Sequence, residues 1–345
     1  MLHLAAAAIL HSQTSDMQAS LDQIRQKYSV VGIGCGVVTL TGRTSTWVSG
    51  VRMAGQPDAV KKEDTWLIGT GVQAMTGALV ATEIQKGTLK WNQPIAKPLG
   101  LAKIDPAYSA VTIENLVKMT GGLDENPTKG WASYANSDLT KSRHTAAIDQ
   151  LTSRPEKAAV GQFTYSNSSY VLLGHIVERL NDLALEDAMQ RGIWYPLPLD
   201  AAAWGPNADN EPCGHDADGK SQPGQDDPVL LDGASRARMS MRNWGVFLRE
   251  VMKSFTSSST YVPAAYASEL NAVPNGFCLG WTKTTRPWAK QPVLHNLWDN
   301  SYNCAEVWLD PVASVAYIAV SNQGGPKAKQ ACDDAIAAMI ATPHS

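Results

Sequence analysis

One stretch limits what this chain can fold into. Trp66-Leu67-Ile68 runs into Gly69-Thr70-Gly71 and then into a long, mostly apolar segment that ends at Lys86-Gly87. Glycines on both sides of Thr70 mark a sharp turn, and the segment after it reads as a helix that stops at Gly87. One hydroxyl therefore stands at the mouth of a helix, with Gln73 one turn further along the same face. Two readings are open. Thr70 can be an ordinary cap on the first free N–H groups, or it can occupy the position of a nucleophile whose partner has changed.

The chain has 345 residues and a formal net charge of −3, enough for one large core or two co-folded lobes. Basic and acidic residues are interspersed, so neither a nucleic-acid face nor a polybasic membrane patch is expected. A small molecule or short peptide is the expected partner. Residues 1–14 include an apolar run, Leu4 to Leu10, without a preceding Lys or Arg. This segment is expected to be a signal or an N-terminal extension; a signal would make the protein periplasmic or secreted, and otherwise it is cytoplasmic. The run is too short to span a bilayer. Cys35, Cys213, Cys278, Cys304 and Cys332 lie far apart without a Cys-x-x-Cys pair, and no histidines show His-x-x-x-His spacing. Buried thiols, no metal and no cofactor are expected.

In chain order, Met17, Leu21, Ile24 and Tyr28 predict an amphipathic opening helix, and 29–40 with 44–51 predict a β-hairpin. Val111 to Leu123 reads as a helix capped by Thr112. Residues 204–232 form a long Pro/Gly/Asp-rich loop in which Asp216 and Asp218 are turn residues. Arg238 to Met252 is amphipathic, three β-type runs follow at 277–283, 305–309 and 314–320, and 326–341 is an Ala-rich helix. Strands at both ends with helices between predict an α+β fold: an antiparallel sheet built from both termini, flanked by helices, with an inserted all-helical lobe. Its parts are an α/β lobe of about 15–66 and 275–341 and a helical lobe of about 67–274, together one domain over 15–345.

The wording of three segments resembles the serine hydrolases of the penicillin-recognising superfamily, especially the class C β-lactamase-like esterases and D-aminopeptidases. Ile68-Gly69-Thr70-x-x-Gln73-x-Met75-Thr76 is similar to the Ser-x-x-Lys element, with Thr70 in place of serine and Gln73 in place of lysine. Phe163-x-Tyr165-Ser166-Asn167-x-x-Tyr170-x-Leu172-Leu173-Gly174 matches the Tyr-x-Asn element intact, and Thr112 to Leu123 and Gly214 to Gly219 resemble further family segments. His295-Asn296-Leu297 falls on the third motif, Lys/His-Thr/Ser-Gly, followed by Trp298. The resemblance implies the β-lactamase/transpeptidase-type fold over about 15–341.

It also implies roles. Thr70 would stand at the nucleophile, Gln73 at the lysine, Tyr165 and Asn167 at the second acid/base element, and Leu297 and Trp298 where a glycine and an oxyanion-hole N–H border the cleft. A glutamine amide does not titrate near neutral pH, whereas positioned acid/base help is worth roughly 10²–10⁴-fold. Three functions follow from this. The favoured one is a protein that has lost the Ser–Lys pair and binds, or transforms without hydrolysis, a small apolar or amide/ester-containing ligand. The others are a weak acyl hydrolase using Thr70 and a lyase or isomerase pairing Tyr165 with His295.

Overall fold

The computed structural model describes residues 16–342 apart from 43, 128 and 154–158; the expected signal or extension at 1–14 lies outside them. The chain runs α1 (16–28), β1 (Gly32–Thr39), β2 (Ser45–Gly50), β3 (Thr65–Gly69) and α2 (Val72–Lys86). It continues as α3 (Ile113–Val117), α4 (Leu139–Thr152), α5 (Asn167–Asn181), α6 (Leu185–Met189), β4 (Ala203–Trp204), β5 (Ala237–Ser240), α7 (Met241–Ser254) and α8 (Ala264–Ala272). Five strands and a helix close it: β6 (Gly276–Cys278), β7 (Trp281–Thr284), β8 (Val293–Asp299), β9 (Cys304–Asp310), β10 (Val315–Ser321) and α9 (Pro326–Ala341).

Seven of these strands form one antiparallel sheet in the order β2-β1-β10-β9-β8-β7-β6, so both ends of the chain build it, as the strand signals predict. Successive side chains alternate between its faces. Val37, Cys304, Trp308, Tyr317 and Ala319 join Met17 and Leu21 of α1 and Ala328, Cys332 and Ile336 of α9 in one apolar layer. Leu294, Trp298, Ala305, Val307, Ile318 and Val320 belong to the larger core shared with the helices. β9 and β10 are buried along their whole length because they are covered on both faces.

Two features go beyond the sequence reading. A three-stranded sheet, β3-β5-β4, joins the segment before Thr70 to the one before α7. β8 lies within a polar, Trp-containing stretch that carries no clean strand signal, and its order comes from pairing on both sides with β9 and β7. Thr112 caps α3 as expected, through a capping box closed by Asn115. Asp216 accepts the N–H groups of Asp218 and Lys220, each at 3.0 Å, a turn built on one carboxylate. His215 in the same segment is fully buried, donates Nδ1–H to the Asn322 carbonyl at 2.7 Å and accepts the Ala54 N–H at 3.0 Å. These two bonds fix its neutral tautomer and tie the loop to the sheet.

The helical region is organised around Arg143, which is fully buried and pairs with Glu178 and Glu186, with Asp232 3.6 Å away. Asp232 also receives Arg236 at 2.8 Å. More carboxylates than cations meet here, so one must keep its proton: burial and the adjoining Glu186 push the Asp232 carboxyl up to about 8. A carboxyl raised on folding binds more protons in the native than in the unfolded state. Its contribution is therefore fully present below the ordinary carboxyl range and is lost as pH rises toward 8. Asp232→Asn, which keeps an acceptor for Arg236, is expected to flatten the fall in stability between about pH 4 and pH 8, as read by urea denaturation across that range.

Candidate functional site

The turn before α2 places Thr70 against β8. Gly69 has φ +51, and a Cβ there would lie 1.8 Å from the indole of Trp298, so only glycine fits. α2 begins from Gly71 with no side-chain cap. The Thr70 hydroxyl, only 5% exposed, instead donates to Asn296 Oδ1 at 3.0 Å. The Asn296 amide returns one bond to the Gly280 carbonyl at 2.9 Å and a longer one to the Thr70 carbonyl at 3.3 Å. Thr70 is thus a link between the helix entry and the sheet, and its proton is directed at a carboxamide oxygen.

Gln73 is completely buried on the same side of α2. Its Nε2 donates to the Tyr165 hydroxyl at 3.4 Å, while its Oε1 is buried and accepts no hydrogen bond. Tyr165 donates to Asn167 Oδ1 at 2.9 Å, Asn167 to Asn126 Oδ1 at 3.1 Å, and the Trp131 indole to the same oxygen at 2.8 Å. Ser166 between them caps α5 by accepting the Ser169 N–H, which fixes Tyr165 just outside the helix and Asn167 at its first turn. The Tyr165 ring is 36% exposed, but its hydroxyl points inward to Gln73. Burial pushes the phenol up to about 12, the Gln73 hydrogen bond works against this, and the carboxylates of Glu125 and Asp227 push it up further. At neutral pH such a phenol is ionised to only about one part in 10⁵.

The third motif is displaced by one residue, and in a strand one residue reverses the face. Asn296 meets Thr70 and Trp298 covers Gly69, whereas His295 and Leu297 alternate with them onto the other face. His295 donates Nε2–H to the Glu306 carboxylate at 2.9 Å and stacks on Trp308 with ring centroids 3.8 Å apart. The expected pairing of Tyr165 with His295 is therefore corrected: Glu306 and Trp308 hold the imidazole on the α9 side of the sheet. Leu297 is exposed on that side as well and does not fill the cleft. The structure brings together Thr70, Gln73, Tyr165, Asn167 and Trp298, and adds Asn126, Trp131 and Asn296. The alternation Leu294, Asn296, Trp298 is the one sequence signal for Asn296; Asn126 and Trp131 lie in an irregular segment that gives none.

β7 pairs β8 only as far as His295, leaving 296–299 with an open edge toward this turn. The arrangement of a helix-entry hydroxyl, a residue one turn on, a Tyr-x-Asn corner and an unpaired strand edge is accompanied by a match to the Beta-lactamase family model over residues 17–340. The chain belongs to the β-lactamase family. It is 21% identical over 316 residues to an unguisins hydrolase of Aspergillus violaceofuscus, which covers 78% of this chain and 54% of that protein; the chain thus spans about half the relative's length. A class C β-lactamase from Rhodobacter sphaeroides superposes with a TM-score of 0.74 over 94% of this chain and 99% of its own, at 18% identity. The octameric penicillin-binding protein homologue from Pyrococcus abyssi gives 0.76 over 94% and 77%, at 17% identity. These likenesses establish the fold.

The groups that touch Thr70, Gln73 and Tyr165 are amides and hydroxyls. Among the described residues the hydrogen-bond partners of Thr70, Gln73 and Tyr165 include no lysine or arginine; Lys118 is bound to Glu114 and Glu269, and Lys283 to the Leu270 carbonyl. Two outcomes follow. Gln73→Met removes a buried oxygen that has no donor, so stability is expected to hold or rise by up to about 1 kcal/mol in urea denaturation, despite the lost long contact to Tyr165. Trp298→Ala removes the indole over Gly69 and is expected to cost about 3–5 kcal/mol while producing no gain in p-nitrophenyl ester turnover, because opening the space supplies no base.

Proposed function

We propose that this member of the β-lactamase family has given up the Ser–Lys acyl-transfer mechanism and uses the ancestral cleft to bind, or to transform without hydrolysis, a small apolar or amide/ester-containing ligand. The observation that carries this reading is the unbroken neutrality of the site. A threonine hydroxyl donates to Asn296, Gln73 stands in the lysine position with an unpaired carbonyl oxygen, and Tyr165 is held protonated.

Acyl transfer needs a group that removes the hydroxyl proton as the new bond forms. Asn296 is an amide oxygen and Gln73 offers an N–H, so neither can take that proton. Tyr165 touches Gln73 rather than Thr70 among its hydrogen-bond partners, and the acids around it oppose its ionisation. The β-methyl of Thr70 further restricts its rotamers and the approach of an acyl carbon. What the site does offer is recognition: a buried acceptor at Gln73, a phenol and amide at the Tyr165–Asn167 corner, and the indole of Trp298 as an apolar wall.

That one matched relative is described as a hydrolase makes residual hydrolysis at Thr70 the reading to test against. The wild-type protein is expected to resist labelling by an alkyl fluorophosphonate and to leave p-nitrophenyl esters intact. Thr70→Ser combined with Gln73→Lys is expected to restore labelling, read by intact mass. Labelling of the wild type at Thr70, abolished by Thr70→Ala, would refute the proposal in favour of a weak acyl hydrolase.

A further inference from the structure

The segment that enters α5 presents two aromatic rings at the rim of the ancestral cleft. It is held extended along Met119, whose carbonyl accepts the Thr164 N–H at 3.0 Å and whose Sδ accepts the Ser166 N–H at 3.4 Å. Residues two apart in such a stretch face the same side. Ser166 is buried, whereas Phe163 and Tyr165 are 56% and 36% exposed, so both rings stand on the open side. Phe163 is also held from behind. Its ring packs on Phe277 of β6 with centroids 5.8 Å apart, and Phe277 meets the buried Tyr170 edge-on at 6.1 Å. Three residues after Phe277, the Gly280 carbonyl accepts the Asn296 amide that also binds Thr70, so this aromatic pair borders the cleft. A large apolar ring that is ordered on one face and open on the other is a surface for stacking.

The charge at this rim has one sign. Residues 124–126 run along the start of α5: the Asp124 carbonyl accepts from Ser166 Oγ at 2.9 Å, the Glu125 carbonyl from the Ser168 N–H at 3.2 Å, and Asn126 from Asn167 at 3.1 Å. These bonds set Glu125 beside the Tyr165–Asn167 corner. The charged groups that act on the Tyr165 hydroxyl are Glu125 and Asp227, and both are acids. Asp227 is committed to the Ser235 hydroxyl, whereas the exposed Glu125 carboxylate has no hydrogen bond or ion pair among the described residues. An anion is repelled from such a rim and a cation is drawn to it, the more so beside an aromatic face.

We propose, resting on the use of the cleft for ligand binding, that its ligand is an arylalkylammonium ion, apolar at one end and cationic at the other. The aryl group stacks on Phe163, and the ammonium lies between the Glu125 carboxylate and the Tyr165 ring.

The test compares 2-phenylethylamine, 2-phenylethanol and 3-phenylpropanoate, which share an aryl group and differ in charge, by ligand-observed NMR titration of the whole protein at neutral pH and low salt. The amine is expected to bind about fivefold more tightly than the alcohol, the effect of an exposed ion pair with a cation–π contact, and the carboxylate more weakly than either. Glu125→Gln should bring the amine down to the alcohol. Phe163→Ala should weaken amine and alcohol together by roughly fivefold. Both side chains are exposed, so both variants are expected to keep the wild-type melting transition. Equal binding of amine and alcohol, absence of binding by the amine, or an amine affinity unchanged in either variant overturns the proposal. Fluorophosphonate labelling of the same samples separates this outcome from that of the binding role itself. Unlabelled protein that does not favour the amine keeps the binding role and loses this ligand class, whereas protein labelled at Thr70 that favours the amine loses the binding role and keeps the class as its specificity.

Discussion

The hydrogen bond from Thr70 to Asn296 joins the two halves of the molecule at the point where the site is built. Thr70 ends the turn that leaves the small β3-β5-β4 sheet and enters α2, and Asn296 stands on the open part of β8. In forming this bond the hydroxyl commits its proton to an amide oxygen, and the amide is committed in turn to Gly280. A group that could draw the proton away would have to displace one of these partners. The close approach depends on Gly69, whose missing Cβ lets the Trp298 indole lie directly on the turn. The close packing of the turn and the restraint on the hydroxyl thus come from the same contacts.

Electrostatics separates this site from the rest of the helical region. Around Arg143 the protein buries ionised groups and satisfies them with one another, accepting a protonated carboxyl at Asp232 where the charges do not balance. Around Thr70 it buries amides, a phenol and hydroxyls, and leaves Gln73 Oε1 unpaired. An unpaired buried carbonyl costs stability, on the order of 1–3 kcal/mol.

The long loop that packs beside β3 is held by side-chain amides and an imidazole rather than by regular structure. Asn207 donates to the Pro212 carbonyl at 2.5 Å, and Asn300 Oδ1 receives the Asn303 N–H at 2.9 Å. His215 holds the neighbouring segment to the Asn322 carbonyl and the Ala54 N–H.

The sequence by itself determined the α+β class, the construction of the main sheet from both ends, and the identity of the turn carrying Thr70. These are written in local patterns: apolar periodicity, glycines at turns, and a helix cap at Thr112. It also fixed the chemistry available at position 73, since Gln73 is a carboxamide in any fold. What only the tertiary structure decided was facing and partnership. Whether His295 or Asn296 looks at Thr70 depends on the register of β8 against β9, and a single-residue shift exchanges the two faces. The strand's own residues carry no strong preference, so the pairing with its neighbours sets that register. Asn126 and Trp131 come from an irregular segment in which no period links them to Tyr165, and their role arises because α5 and the loop before it fold against each other. Hydrogen bonds across hundreds of residues leave no trace in local sequence, because their geometry exists only after the core has closed around them.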